Sequence, residues 1–277
     1  RSVPERYQSF RWAEDYSDLT SPQRDDNFIA SLKRIPLRQG GTYPYLSLGG
    51  NYRLRFERPS KQLFGIVGPQ TDNVFLNRFA VHGYVHWTRK VRTFLQLATF
   101  LETGRTGGAN PVDQSEVDIQ QGFLDASHKD FQLRVGRQEL MLPSKKLLGS
   151  REGPNQRRAF DAVRIDYRPA SGPSVEAFIG REVRPERGAF ADSFTNTTTV
   201  WGGYVEHVAG GPELGIDAFY VGIDRNDSAY NVGVGHEECH TIGVRIDGQR
   251  GAFRFDYEGF IQFGEFENQD ILAWSVV

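Results

Sequence analysis

The side chains that invite a chemical reading are histidines, clustered acids and, above all, arginines. His82 and His86 share one face of an alternating segment, and four residues of strand separate them by roughly 13 Å, too far to hold one metal ion. His236, Glu238, Cys239 and His240 crowd one stretch and include soft ligands, but read more simply as polar loop groups. Asp224, Asn226 and Asp227 offer oxygens for Ca²⁺ in an outer loop, without the full ligand spacing of a built site. Cys239 is the single cysteine, so an internal disulfide and a zinc-finger spacing are both excluded. There is no G-x-S-x-G elbow, phosphate-binding loop or HExxH helix. Ser47 and Ser275 fall on strand-like segments without an assigned histidine. These absences lead to the expectation of no enzyme, no resident metal and no cofactor beyond the Ca²⁺ option.

The arginines are different. Arg53, Arg55, Arg78, Arg134, Arg158 and Arg164 recur on the polar sides of alternating segments, and a guanidinium offers planar paired donors to carboxylates or phosphates. Glu57, Glu102 and Glu176 are candidate partners, so the same residues could form Arg–Glu networks that only hold shape. A second feature is the turn Gly153-Pro154-Asn155, flanked by Arg151, Glu152, Arg157 and Arg158. It could fold inward as a constriction, or simply pin one loop to a wall.

What must position these groups is a strand architecture. Leu46, Leu48, Gly50, Tyr52, Leu54 and Phe56 alternate with Ser47, Gly49, Asn51, Arg53, Arg55 and Glu57, a period of two that only a strand converts into two faces. Similar alternation recurs at residues 78–87, 91–101, 131–138, 159–167, 175–180, 201–207, 214–222, 241–247 and 253–264. Val117 to Ala126 and Ile271 to Val277 read as strands of ambiguous facing. About twelve strands result, most near the 9–11 residues that cross a bilayer at a tilt. The chain of 277 residues balances 33 basic against 35 acidic side chains, which argues against a general nucleic-acid binder. No run of 18 apolar residues is present, but a membrane barrel averages to a polar score and would not show one.

The connections sort by parity. Tight links follow the even strands: Thr88 to Lys90, Ser127 to Asp130, Pro169 to Pro173, Ala209 to Glu213 and Gly248 to Gly251. Long ones follow the odd strands: Arg58 to Asp72, Thr103 to Glu116, Leu142 to Arg157, Val183 to Thr198 and Asp224 to Glu238. One short-turned rim and one long-looped rim is the arrangement of an outer-membrane barrel, which a β-sandwich or lipocalin does not explain. The apolar stripe, ending in Trp87, Trp201, Phe253 and Trp274, suits lipid and its interfacial girdles. The charged stripe would cost about 2–4 kcal/mol per cation at the bilayer midplane, and suits a water-filled lumen.

Specific runs add a resemblance. Arg134-Val-Gly-Arg-Gln-Glu-Leu140, Arg151-Glu-Gly-Pro-Asn-Gln-Arg-Arg158, Phe160-Asp-Ala-Val-Arg164 and Leu76-Asn-Arg78, with His240-Thr-Ile-Gly243 and Gln262-Phe-Gly264, resemble the alginate export family of outer-membrane porins. Glu14-Asp-Tyr16 and Ile35-Pro-Leu37 extend the match toward the N-terminus. The resemblance implies an antiparallel transmembrane β-barrel of eighteen strands in a Gram-negative outer membrane, with an electropositive pore passing an anionic, alginate-like polysaccharide. Eighteen strands would need roughly 110 residues more than the twelve-strand stretch 45–277 supplies, so the barrel reads as truncated at the C-terminus. Residues 1–44 read as a periplasmic lead-in or plug-like segment. The expected function is passive passage of anionic polysaccharide or smaller anionic saccharides through an Arg-lined pore, among outer-membrane lipids and lipopolysaccharide, with periplasmic export partners conceivable. The alternatives are a soluble carbohydrate-binding β-protein, a barrel of unrelated solute specificity, and an outer-membrane barrel enzyme.

Overall fold

A computed structural model describes residues 11–14, 16, 31–60, 71–211 and 213–277. Its strands are β1 (Ile35–Pro36), β2 (Tyr45–Glu57), β3 (Val74–His86), β4 (Val91–Thr103), β5 (Ser115–His128), β6 (Phe131–Gln138), β7 (Phe160–Tyr167), β8 (Ser174–Arg184), β9 (Ser193–Gly211), β10 (Leu214–Tyr230), β11 (Gly233–Arg250), β12 (Phe253–Phe266) and β13 (Gln269–Val276). Twelve are long, as the alternation predicts, and β1 is a two-residue addition on the edge of β2. The chain divides into two compact units. The first comprises residues 1–126, 151–157 and 185–192, and the second residues 127–150, 158–184 and 193–277.

In the first unit β1 to β5 form an antiparallel meander. The β2–β3 pairing runs without interruption from Tyr45 opposite His86 to Glu57 opposite Val74. One face of β3 buries Leu76, Arg78, Ala80, His82, Tyr84 and His86, while Phe75, Phe79 and Val81 on the other face stay exposed. Tyr52, Leu54 and Phe56 continue the exposed apolar face on β2. The ambiguous facing of Val117 to Ala126 has a physical cause. The β4–β5 register shifts twice, so Gln120 and Gln121 are both buried and no single alternation runs through the strand.

The charged face of this unit also carries the described part of the N-terminal segment. A 3₁₀ turn, Arg11–Ala13, sets Trp12 edge-on to Phe123 at 6.4 Å between ring centres. Glu14 is buried and accepts from Arg11 and from the Tyr16 hydroxyl, both at 2.8 Å, with Lys33 at 3.8 Å.

The second unit is the meander β6 to β13. Strands β6 and β7 have 8 residues each, whereas β9, β10 and β11 have 19, 17 and 18. This corrects two predicted loops. Much of Val183 to Thr198 is strand, since β8 runs to Arg184 and β9 begins at Ser193, and Asp224 to Glu238 is almost wholly ladder, with only residues 231–232 left between β10 and β11. The polar composition there suggested loop, but main-chain pairing needs no apolar face, and the side that is buried there carries polar groups such as Ser228 and Glu237. Asp224, Asn226 and Asp227 therefore lie on a strand, and Asp224 faces His236 Nε2 at 3.2 Å. Cys239 and His240 point to opposite faces of β11, the first buried and the second stacked with Tyr220 and Phe263.

The apolar face of this unit exposes Val163, Ile165, Ile179, Ile242, Val244 and Ile261, with Phe131 and Tyr167 stacked at 4.7 Å near the short-turned end. Trp201 lies across Gly222, where a Cβ would stand 2.2 Å from the indole, so only glycine admits the ring. An apolar surface of this extent is untenable in water and natural against lipid.

Candidate functional site

The arginines on β2 and β3 meet at one place. Arg53 and Arg55 share a face by the two-residue period, and Arg78 stands directly opposite Arg53 in the β2–β3 register. Three like charges so close would repel unless something sat among them. The segment 151–157 does. Arg53 donates to the carbonyl oxygens of Glu152 and Pro154 at 3.2 Å each and to Asn155 Oδ1 at 3.3 Å. Arg55 donates to the carbonyls of Glu152 at 3.4 Å and Gly153 at 2.5 Å. Arg78 donates through Nε to the carbonyl of Asn155 at 2.6 Å and through Nη2 to that of Pro154 at 3.2 Å.

The turn is built to present those oxygens. Pro154 fixes its own φ and has no N–H, so it enters the site as an acceptor only. Asn155, completely buried, locks the other side: its amide donates to the carbonyls of Asn77 at 2.9 Å, Asp113 at 3.2 Å and Leu101 at 3.4 Å. Its main-chain N–H donates to Asp113 Oδ1 at 2.5 Å. Gln156 continues the anchorage, donating from its N–H to the Val112 carbonyl at 3.0 Å and from its amide to Asp192. Asp192 in turn bonds the segment 185–192 to Asp118 of β5 at 2.8 Å.

Most of these bonds run from a cation to a neutral carbonyl, which fixes the guanidinium without cancelling its charge. Carboxylates nevertheless stand close by. Glu57 pairs with Arg55 at 2.8 Å, and the Glu152 carboxylate stands 3.7 Å from Arg53, 3.6 Å from Arg78 and 2.5 Å from Arg157. Burial pushes the Glu152 carboxyl up, but Arg157, Arg78 and Arg53 outweigh it and hold its pKa below the ordinary value. Arg151 is exposed and adopts a left-handed φ of 54° at the start of the turn.

The second unit treats its arginines differently. Arg158, just before β7, forms a two-pronged pair with Glu182, both bonds at 2.7 Å. Arg164 is held by Asp166 at 2.7 Å and Glu176 at 3.0 Å. Arg134 stands across from Arg164 in the β6–β7 register and is 2% exposed, within the wall and not on its surface. On β11, Arg245 lies within 3.3 Å of Asp217, Asp247 and Asp256.

Of the predicted residues, the structure thus gathers Arg53, Arg55, Arg78, Glu152, Asn155 and Arg157 into one site. Arg134, Arg158 and Arg164 belong to the other unit. Glu57 and Glu176 pair with two of the predicted arginines, Arg55 and Arg164, but Glu102 pairs with Arg105. The sequence reading missed Asp113, Asp118, Gln120 and Asp192. Each lies on a loop or an irregular strand and meets a partner 36 or more residues away, so no local pattern marks it. Among the described residues, no three His, Cys, Asp or Glu side chains gather as a metal ion requires.

Comparison with known proteins agrees with this architecture. Residues 44–277 match the profile of the family described as alginate export. No curated protein sequence matches. Among solved structures, the chain is similar to a BenF-like porin from Pseudomonas fluorescens Pf-5, with 13% identity over 83% of this chain and 69% of that one, TM-score 0.46. It is also similar to OccK8 (OprE) of Pseudomonas aeruginosa, with 9% identity over 82% of this chain and 70% of that one, TM-score 0.44. For OccAB4 of Acinetobacter baumannii the identity is 10% over 81% of this chain, TM-score 0.42, and the alignment spans 64% of that porin's length.

Proposed function

The chain belongs to the alginate export family of Gram-negative outer-membrane β-barrels, and from that premise we propose that it forms a passive channel for anionic saccharides. Membership removes the soluble carbohydrate-binding alternative and assigns the two faces: the exposed apolar one to lipid, the charged one to a water-filled lumen. In this reading the protein is a conduit and not an enzyme, residues 1–44 form its periplasmic lead-in, and lipopolysaccharide surrounds its long-looped rim. Uronate polymers or their short oligomers fit as solutes because each sugar carries a carboxylate that a guanidinium recognises in a planar, paired fashion.

One observation carries the proposal. At the segment 151–157, Arg53 and Arg55, both part-exposed, are oriented chiefly by neutral carbonyl oxygens and backed by the buried Arg78, so the cluster keeps a fixed geometry and a positive surplus toward a passing anion. Preorganised cations in a confined, water-filled passage attract anions without a reorganisation cost at the moment of binding. The segment itself acts as the constriction, with Arg151, Glu152, Asn155 and Arg157 at its tip. The test is the reversal potential of single channels in a KCl gradient across planar bilayers. Anion preference is expected, and it is expected to fall when Arg53 and Arg55 are both replaced by Gln. Cation preference in the unmodified protein would overturn the reading.

A further inference from the structure

Three arginines of the constriction address the Glu152 carboxylate together. Its Oε2 faces Arg53 Nη1 at 3.7 Å and Arg78 Nη1 at 3.6 Å, and its Oε1 faces Arg157 Nη2 at 2.5 Å. Two of those separations are longer than a hydrogen bond, and more than half of the side chain is exposed. Arg53 and Arg78 do not depend on it for their positions. Arg53 is held by the carbonyls of Glu152 and Pro154 and by Asn155 Oδ1, and Arg78 by the carbonyls of Asn155 and Pro154. The turn in its turn is held from behind by the buried Asn155. If the Glu152 side chain rotated away, the cradle would keep its shape and lose only its occupant.

We propose that the Glu152 carboxylate occupies a built carboxylate-binding site, and that a permeating saccharide acid binds there by exchange with it. This rests on the anionic-saccharide reading and goes further by naming where the solute's carboxylate sits and what it displaces. An internal competitor has a clear physical use. A cluster of uncancelled arginines would bind a polyanion too tightly to release it, whereas conduction needs binding strong enough to enter and weak enough to leave. A tethered carboxylate that re-enters the site as the solute departs lowers the apparent affinity and hastens release, in the way any resident ligand weakens a competitor.

The test is block of single-channel current by a uronic acid pentamer, against an uncharged glucose pentamer of equal length, in the full chain and in Glu152→Gln and Glu152→Asp. Glutamine keeps the size and removes the charge. The expected result is block by the uronate pentamer and not by the neutral one. The midpoint should fall about tenfold in Glu152→Gln, the size of one charged competitor removed, and stay near the unmodified value in Glu152→Asp. If Glu152 were instead a latch for the loop, Glu152→Gln would raise the KCl conductance and weaken the block. Either an unchanged or a weakened block in Glu152→Gln, with the unmodified channel still favouring the uronate, overturns the exchange and leaves the pore reading standing. Equal response of all three proteins to charged and neutral pentamers overturns both.

Discussion

Two arginine clusters, one in each unit, are held in different ways. In the first unit Arg53, Arg55 and Arg78 donate mainly to main-chain carbonyls of the segment 151–157, with Glu57 and Glu152 as carboxylate neighbours. In the second, Arg158, Arg164 and Arg245 are matched with carboxylates on neighbouring strands, so geometry and neutrality arrive together. The same residue type on the same kind of strand face is thus an electrostatic device in one place and a brace in the other. Counting arginines along a polar stripe cannot separate the two, because the difference lies in what accepts their hydrogen bonds.

The largest effect that would break this contrast is expected from Arg78→Ala. It removes two charge-assisted bonds to the turn, worth about 1.5–3 kcal/mol each, and a buried cation at the centre of the cluster. Undocking should at least double the single-channel conductance and lower anion preference. Arg78→Lys keeps the charge but cannot make both bonds, so conductance should rise while preference is retained. That pair of results separates geometry from charge.

A brace should respond otherwise. Arg164→Met leaves Asp166 and Glu176 without their shared cation, and breaking a buried pair costs about 3–5 kcal/mol. Thermal unfolding in detergent should shift markedly downward, while the reversal potential of channels that do form stays put. A changed reversal potential would mean that the second unit also feeds the selectivity.

Asn155→Ala is expected to fall next. It deletes three neutral bonds from a buried amide, about 2–3 kcal/mol of docking, together with the bond that Arg53 donates to Oδ1, and keeps the main-chain carbonyls that hold the arginines. Limited proteolysis should cut within residues 151–157 faster than in the unmodified protein, with intact β-sheet content by circular dichroism. The smallest effect concerns pH. The Glu152 carboxyl has a lower pKa beside the arginines than free, so its hold on the arginine site is complete above the ordinary carboxylate value and is lost as pH falls through the lowered one. Selectivity should be flat from neutral pH down to about pH 5 and change only in more acid solution, and Glu152→Gln should abolish that change.

Strand positions were legible because one face of each strand meets lipid and the other water, which writes a period of two into the residues. Reading stopped where that constraint stops. The β10–β11 hairpin continues through Asp224 to Glu238 with polar side chains on both faces, and its composition mimics a loop. At the β4–β5 bulge the chain changes parity without a sequence mark. The Gly153-Pro154-Asn155 turn was visible as an unusual cluster, and Arg53, Arg55 and Arg78 as face-sharing cations, but their meeting was not. It depends on register between strands and on a segment far along the chain. Asp113, which receives the Asn155 N–H, carries no local signal at all.

That distance along the chain has a consequence for assembly. The hydrogen bonds from Arg53, Arg55 and Arg78 to the turn join residues 76 to 102 positions apart. Contacts of such long reach are made after the local hairpins, because loop-closure entropy must be met before they can form. Hairpins β2–β3 and β3–β4 therefore close first, and the turn settles onto them afterwards. The arginine site is thus a late product of folding, complete only once residues 151–157 have been brought back onto hairpins laid down much earlier in the chain.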